Sequence, residues 1–154
     1  FFFKLKTAYE IKECDWSSDV CSSDLAIWLK APNMQQAQHW FLEHLVHECS
    51  HLHLNAMLIA DPLLTNPQEV NRSPLRPDPR PMFQILHGTF VLARNCRVHA
   101  RLSQQYPELR LEPARDKFAE QFRSGMQVLN DHMQPTNNGT VLLNSLNRAL
   151  SELN

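Results

Sequence analysis

Between Asn33 and Ala60 the chain contains neither proline nor glycine, and Phe41, Leu45, Leu52, Met57 and Leu58 supply apolar positions along it. Asparagine caps helix N-termini by accepting from the first free N–H groups, so this stretch is predicted to be one long helix. It ends at Asp61-Pro62, and Pro67, Pro74, Pro77, Pro79 and Pro81 follow. Proline fixes φ and lacks an N–H, so this segment is predicted to be an extended, stiff loop, neither regular helix nor central strand. Ile85, Leu86, Phe90, Val91 and Val98 then recur at helical spacing. They predict a second helix from Met82 to about Leu102, with Gly88 marking close packing. A third helix is predicted from Leu111 or Pro113 to about Met133, and a fourth from Thr140 to Leu153, separated by the turn-forming run Pro135-Thr-Asn-Asn-Gly139. No strand pattern and no internal repeat stands out, so the expected fold is mainly α: a single helical domain in which a long first helix is joined by a proline-rich loop to further helices.

Composition narrows the reading. A chain of 154 residues can bury a real core. Its 15 basic and 16 acidic residues nearly cancel, which gives no long-range reason to expect nucleic acid or an anionic membrane as partner. No apolar run reaches the roughly 18 residues of a membrane span, and no cleavable targeting segment is evident, so a soluble cytoplasmic protein is expected. The opening tract, Phe1 to Leu25 (FFFKLKTAYEIKECDWSSDVCSSDL), resembles a translated sequencing adapter. It carries neither helical nor strand periodicity, and Cys14 and Cys21 are spaced too widely for a common metal knuckle. It is expected to be non-native and disordered. The domain proper is expected to span residues 26–154 and to be an N-terminally truncated fragment.

Candidate chemistry lies in the first helix. The chain has eight histidines, and His39, His44, His47, His51 and His53 crowd into a short stretch. Residues four apart share a helix face, so His47 and His51 of His47-Glu48-Cys49-Ser50-His51 can aim two imidazoles at one Zn(II) or Fe(II). Glu48 is placed as in zinc peptidases, where such a carboxylate takes a proton from metal-bound water. A third ligand is still needed. The extended zinc-peptidase pattern would require glycine at 54 and histidine at 57, where this chain has Leu54 and Met57. Between His51 and Ala100 the only glutamate is Glu69, in the loop. His87, in Leu86-His87-Gly88 on the second helix, is the better candidate, because a helix hairpin could bring it against the first helix. His44, one turn before His47, and Asn55 and Asp78 are candidates for supporting positions behind the ligands. Arg80 and Arg76 in the stiffened loop are candidate cations that could grip a carboxylate with a guanidinium fork.

The run His47-Glu-Cys-Ser-His51-Leu-His-Leu-Asn55, then Pro74-Leu-Arg76-Pro-Asp78-Pro-Arg80-Pro81, then Leu86-His87-Gly88, resembles the HExxH-motif domain family of peptide-modifying proteins. The proline-arginine block is the more specific part of the match, which covers about a third of the chain. Departures are Leu75, where an aromatic is commoner, the wording Ser50-His51-Leu52-His53, and a shorter N-terminal part. The resemblance implies an Fe(II) and 2-oxoglutarate dependent peptide β-hydroxylase acting on a ribosomally made precursor peptide, with Glu48 then supporting a ligand or water. Two other readings of the residues stay open: a Zn(II) metallopeptidase, and a helical interaction domain without activity.

Overall fold

The computed structural model describes residues 20–23, 26–29, 37–73 and 76–153. Within them the chain is mainly helical and forms a single domain. Helix α1 spans Ala37–Ala60, α2 Met82–Gln105, α3 Glu112–His132 and α4 Asn137–Ser151; a short 3-10 turn, Pro107–Leu109, joins α2 to α3. None of these helices is long and apolar enough to cross a membrane.

Antiparallel α2 and α3 form the most extensive pairing, and α1 lies along α2. Ile85, Leu86, Phe90, Phe118, Phe122, Met126 and Leu129 are all buried in the shared core. Close packing at one crossing depends on Gly125, where a Cβ would come 2.4 Å from the Thr89 hydroxyl. That contact falls one residue beyond Gly88, which instead lines a cavity. Helix α1 meets the core through Ser50 and Leu54, each 0% exposed, whereas Leu45, Leu52, Met57 and Leu58 are only half-buried and Phe41 is 50% exposed. The apolar positions legible in its sequence are therefore not its deepest ones. Ser50 fits the interior because its hydroxyl donates to the Val46 carbonyl within the same helix.

The loop after α1 is fixed by Asp61. Its carboxylate accepts from the Leu63 N–H at 2.6 Å, the Thr136 hydroxyl at 2.5 Å and the Asn138 amide at 3.2 Å, and these bonds hold its pKa below the usual carboxylate value. The loop is thereby tied to the α3–α4 turn, where Thr65 N–H donates to the Gln134 carbonyl and Thr136 N–H to that of Leu63. Thr136 also caps α4, accepting from the Gly139 N–H at 3.0 Å. That cap draws Asn137, Asn138 and Gly139 into the first turn, so α4 begins three residues before the predicted Thr140. Gly139 is required here: a Cβ would stand 1.7 Å from the Leu63 carbonyl oxygen.

Strands, which the residue pattern does not predict, occur twice. β1 (Val20–Ser23) pairs antiparallel with β2 (Ala26–Leu29), and β3 (Val70–Asn71) with β4 (Arg80–Pro81). Val20, Ile27 and Trp28 are strand-favouring, but four-residue ladders are too short to register as alternation. The first pairing brackets the expected boundary at Leu25, while residues 1–19, 24 and 25 and the proposed cap Asn33 lie outside the described residues. In the proline-rich loop, Pro81 pairs with Val70 at a position where its missing N–H breaks no longer ladder.

Candidate metal centre

His47 and His51 project from successive turns of α1, and their Nε2 atoms stand 3.0 Å apart. Without a metal one of them holds the proton that the other accepts. Two nitrogens bound to one ion at about 2.1 Å would be roughly 3.0 Å apart at a right angle and about 3.4 Å at a tetrahedral one, so this pair is already spaced as a clamp. His87 reaches the same place from α2: its ring centroid is 5.8 Å from that of His51 and tilted by 31°. His47 and His51 are 4.7 Å apart by the same measure. Among the described residues no three His, Cys, Asp or Glu side chains are closed around one point, so His87 stands beside the clamp rather than in it.

Burial pushes the His47 pKa down to about 4, with the charge of His51 and then His44 adding to the effect. Part of the His47 side chain is exposed, but its ring lies among these neighbours, and the downward direction follows from both causes. Burial, then His51, likewise takes His87 to about 4. Burial lowers His51 as well, opposed by Glu48. All three imidazoles are therefore neutral near pH 7, the state in which they can ligate.

The three histidines line one cavity of about 630 Å³, together with Arg76 and Arg80 from the β4 side. Arg80 is half-exposed; its Nη2 contacts Asp78 at 2.7 Å and its Nη1 contacts Gln84 at 3.4 Å, while its Nε is buried without a partner. Asp78 thus touches Arg80 and not the histidines. Glu48 is 5% exposed and lies outside the cavity lining. Neither His44 nor Asn55 reaches the cavity. The His44 Nδ1–H donates to the Trp40 carbonyl at 2.6 Å and its ring stacks on that indole, so it influences His47 by charge alone; Asn55 is exposed. Glu69 accepts from Asn66 and Asn71, away from the site.

The cavity also gathers Glu43, Asn95 and Lys117, which the motif-based reading did not select. Two of them had a periodic sign: Glu43 lies one turn before His47, and Asn95 two turns after His87 on the same face. Lys117 had none, because α3 brings it in. Asn95 is 1% exposed and its Oδ1 has no partner, so the cavity floor offers an unsatisfied acceptor. The donor set, the clamp spacing and the unpartnered Arg80 Nε fit a divalent metal with a carboxylate-bearing co-substrate. No known family model matches the chain, and no curated protein sequence does.

Proposed function

We propose that this chain is an Fe(II) and 2-oxoglutarate dependent oxygenase that hydroxylates the β-carbon of a residue in a ribosomally made precursor peptide. The carrying observation is that His47, His51, His87, Arg76 and Arg80 line one cavity. His47 and His51 would hold the metal, and His87, which lines the same cavity, would be the third ligand. Oxidising power from O₂ is what iron and the oxo acid together supply when bound. The protein's own contribution is placement. Arg80, with a buried N–H unspent and its other nitrogens steadied by Asp78 and Gln84, would grip the distal carboxylate, and Arg76 would flank it. Because the segment bearing them is punctuated by proline, little chain entropy is lost on binding. The peptide part of the proposal rests on the resemblance in the His47–Asn55, Pro74–Pro81 and Leu86–Gly88 segments.

Hydrolysis on Zn(II) is the second reading, and the position of Glu48 bears on it. A hydrolase needs that carboxylate within hydrogen-bond reach of the metal-bound water, on the substrate side. Glu48 is buried outside the cavity lining, which favours the oxygenase. The deciding experiment loads the anaerobic protein with Fe(II) and adds 2-oxoglutarate. A weak visible charge-transfer band that His47→Ala removes is expected; no band, together with tight stoichiometric zinc, would transfer the assignment to hydrolysis.

A further inference from the structure

A second hollow, of about 530 Å³, lies between α1, α2 and α4. Met57, Phe90, Ala93, Val141, Leu142 and Leu146 give it a mainly apolar wall. The volume falls in the range of small-ligand sites, roughly 300–1,000 Å³.

Its polar groups are few and unevenly satisfied. Among the described residues the acid in the lining is Asp61, whose carboxylate accepts from Leu63, Thr136 and Asn138. Two guanidiniums, Arg94 and Arg97, lie one turn apart on α2, and among the described residues neither is ion-paired. Arg94 is held in place nonetheless. Its Nη1 donates to His53 Nδ1 at 2.6 Å, and its guanidinium carbon sits 5.7 Å from the centre of the Phe90 ring. That ring in turn meets His53 edge-on at 5.8 Å. Arg94 is thus steadied by a ring and an imidazole beside apolar surface, and, with the Asp61 carboxylate held by its own loop bonds, it keeps N–H donors turned to an incoming anion. With one N–H committed to His53, Arg94 keeps four, enough for one bidentate anion.

From this geometry we infer that the hollow is a binding site for an apolar monocarboxylate of the medium-chain fatty-acid type. The carboxylate pairs with Arg94, assisted by Arg97, and the hydrocarbon chain lies along Phe90, Ala93 and Leu142. This site is separate from the histidine cavity, and nothing in the assignment depends on which metal that cavity takes.

Decanoate, decan-1-ol, acetate and decyl phosphate, each below its micelle concentration, are titrated into the full chain by calorimetry, with side-chain methyl resonances followed in parallel. Decanoate is expected to bind and to shift Met57, Val141 and Leu142, while the alcohol and acetate bind at least about tenfold more weakly, since each lacks half of the match. Arg94→Met should weaken decanoate about tenfold; if that variant does not fold, Arg97→Met, at an exposed position, should still weaken it measurably. Equal binding of the alcohol, tighter binding of the phosphate, shifts centred on the methyl groups of Val91 and Leu92 in the histidine cavity, or affinity unchanged in the arginine variants would overturn the assignment.

Discussion

Helices α1 and α2 wall two hollows: in one, His47, His51 and His87 meet Arg76 and the β4 residue Arg80, and in the other Met57, Phe90 and Ala93 meet α4 around Arg94. The first is rich in polar groups that partner one another, His47 with His51 and Arg80 with Asp78. The second is mainly apolar, with the guanidinium of Arg94 steadied by His53 and Phe90 and its acid, Asp61, engaged by its own loop. Such furnishings suit different tasks. Mutual partnering fixes protonation and direction, which a metal centre needs. An apolar wall with a single anchoring charge gives affinity through buried area and little scope for chemistry.

The largest expected effect separates the two hollows outright. His47→Ala or His51→Ala should abolish stoichiometric metal binding, measured by metal analysis after anaerobic loading, while far-UV circular dichroism shows the helices intact and decanoate still binds. The helix survives because His47 is exposed, so its loss leaves no cavity in the core. Full metal retention in both variants would sink the site assignment.

A glycine change should divide the hollows in the other sense. Gly139→Ala forces a methyl against the Leu63 carbonyl, where backbone cannot yield cheaply, and should cost about 3 kcal/mol in denaturant unfolding. Helix α4 would be pushed off the loop, so the α4-walled groove should lose its ligand while Fe(II) loading persists. Gly125→Ala, whose methyl would meet only the Thr89 side chain, should cost less. Equal metal loss in Gly139→Ala would mean that the two hollows are mechanically one.

These contrasts also explain what could be read from the chain directly. The pair His47 and His51 was legible because i, i+4 spacing is a property of one helix. The start of α2 at Met82 and the course of α3 were legible because Pro81 and Pro113 mark where helices can begin. Lys117, and the whole groove around Arg94, were not. Their neighbours come from other helices, and packing across α2–α3 and α2–α4 leaves no local periodic mark. The start of α4 was misplaced for a subtler reason: Pro135-Thr-Asn-Asn-Gly139 has turn composition, yet Thr136 uses its hydroxyl as a cap and the following residues enter the helix.

A smaller effect is expected at the arginines. Removing a charge-assisted bond costs roughly 1.5–3 kcal/mol, so Arg80→Ala should weaken 2-oxoglutarate binding about tenfold or more in the anaerobic Fe(II) protein, with Fe(II) affinity itself unchanged. The more exposed Arg76 should matter less, because its ordering costs more. Asp78→Asn should fall below both, since the Asp78–Arg80 pair is partly exposed, at 55% and 36%. An Arg80→Ala protein that binds 2-oxoglutarate normally would leave the cavity without its proposed carboxylate anchor.

The smallest expected effect is a pH slope, and it tests whether the polar side of α2 is held neutral beyond the metal site. His99 is 1% exposed, donates through Nδ1 to the Asn95 carbonyl at 2.8 Å and packs edge-on against Phe118. Burial lowers its pKa from 6.5, with His39 adding slightly; the Asn95 bond and the charge of Glu43 oppose the shift. The fold therefore prefers neutral His99, while the unfolded chain takes up a proton near pH 6.5. Stability is undiminished above that value and falls as the pH drops below it, until the folded-state pKa is reached. His47 and His87 add to the same slope in metal-free protein, down to about pH 4. Asp61 and Glu69, whose pKa values are lowered by hydrogen bonds, lose their contribution only at more acid pH, leaving the interval from 6.5 to about 5 to the histidines. Urea midpoints of metal-free protein measured across that interval should fall, and His99→Phe should flatten the fall by less than one proton's worth while His47→Ala flattens it further. If His99→Phe leaves the slope untouched, His99 is hydrated in solution, and the interior between α2 and α3 is wetter than its packing on Phe118 implies.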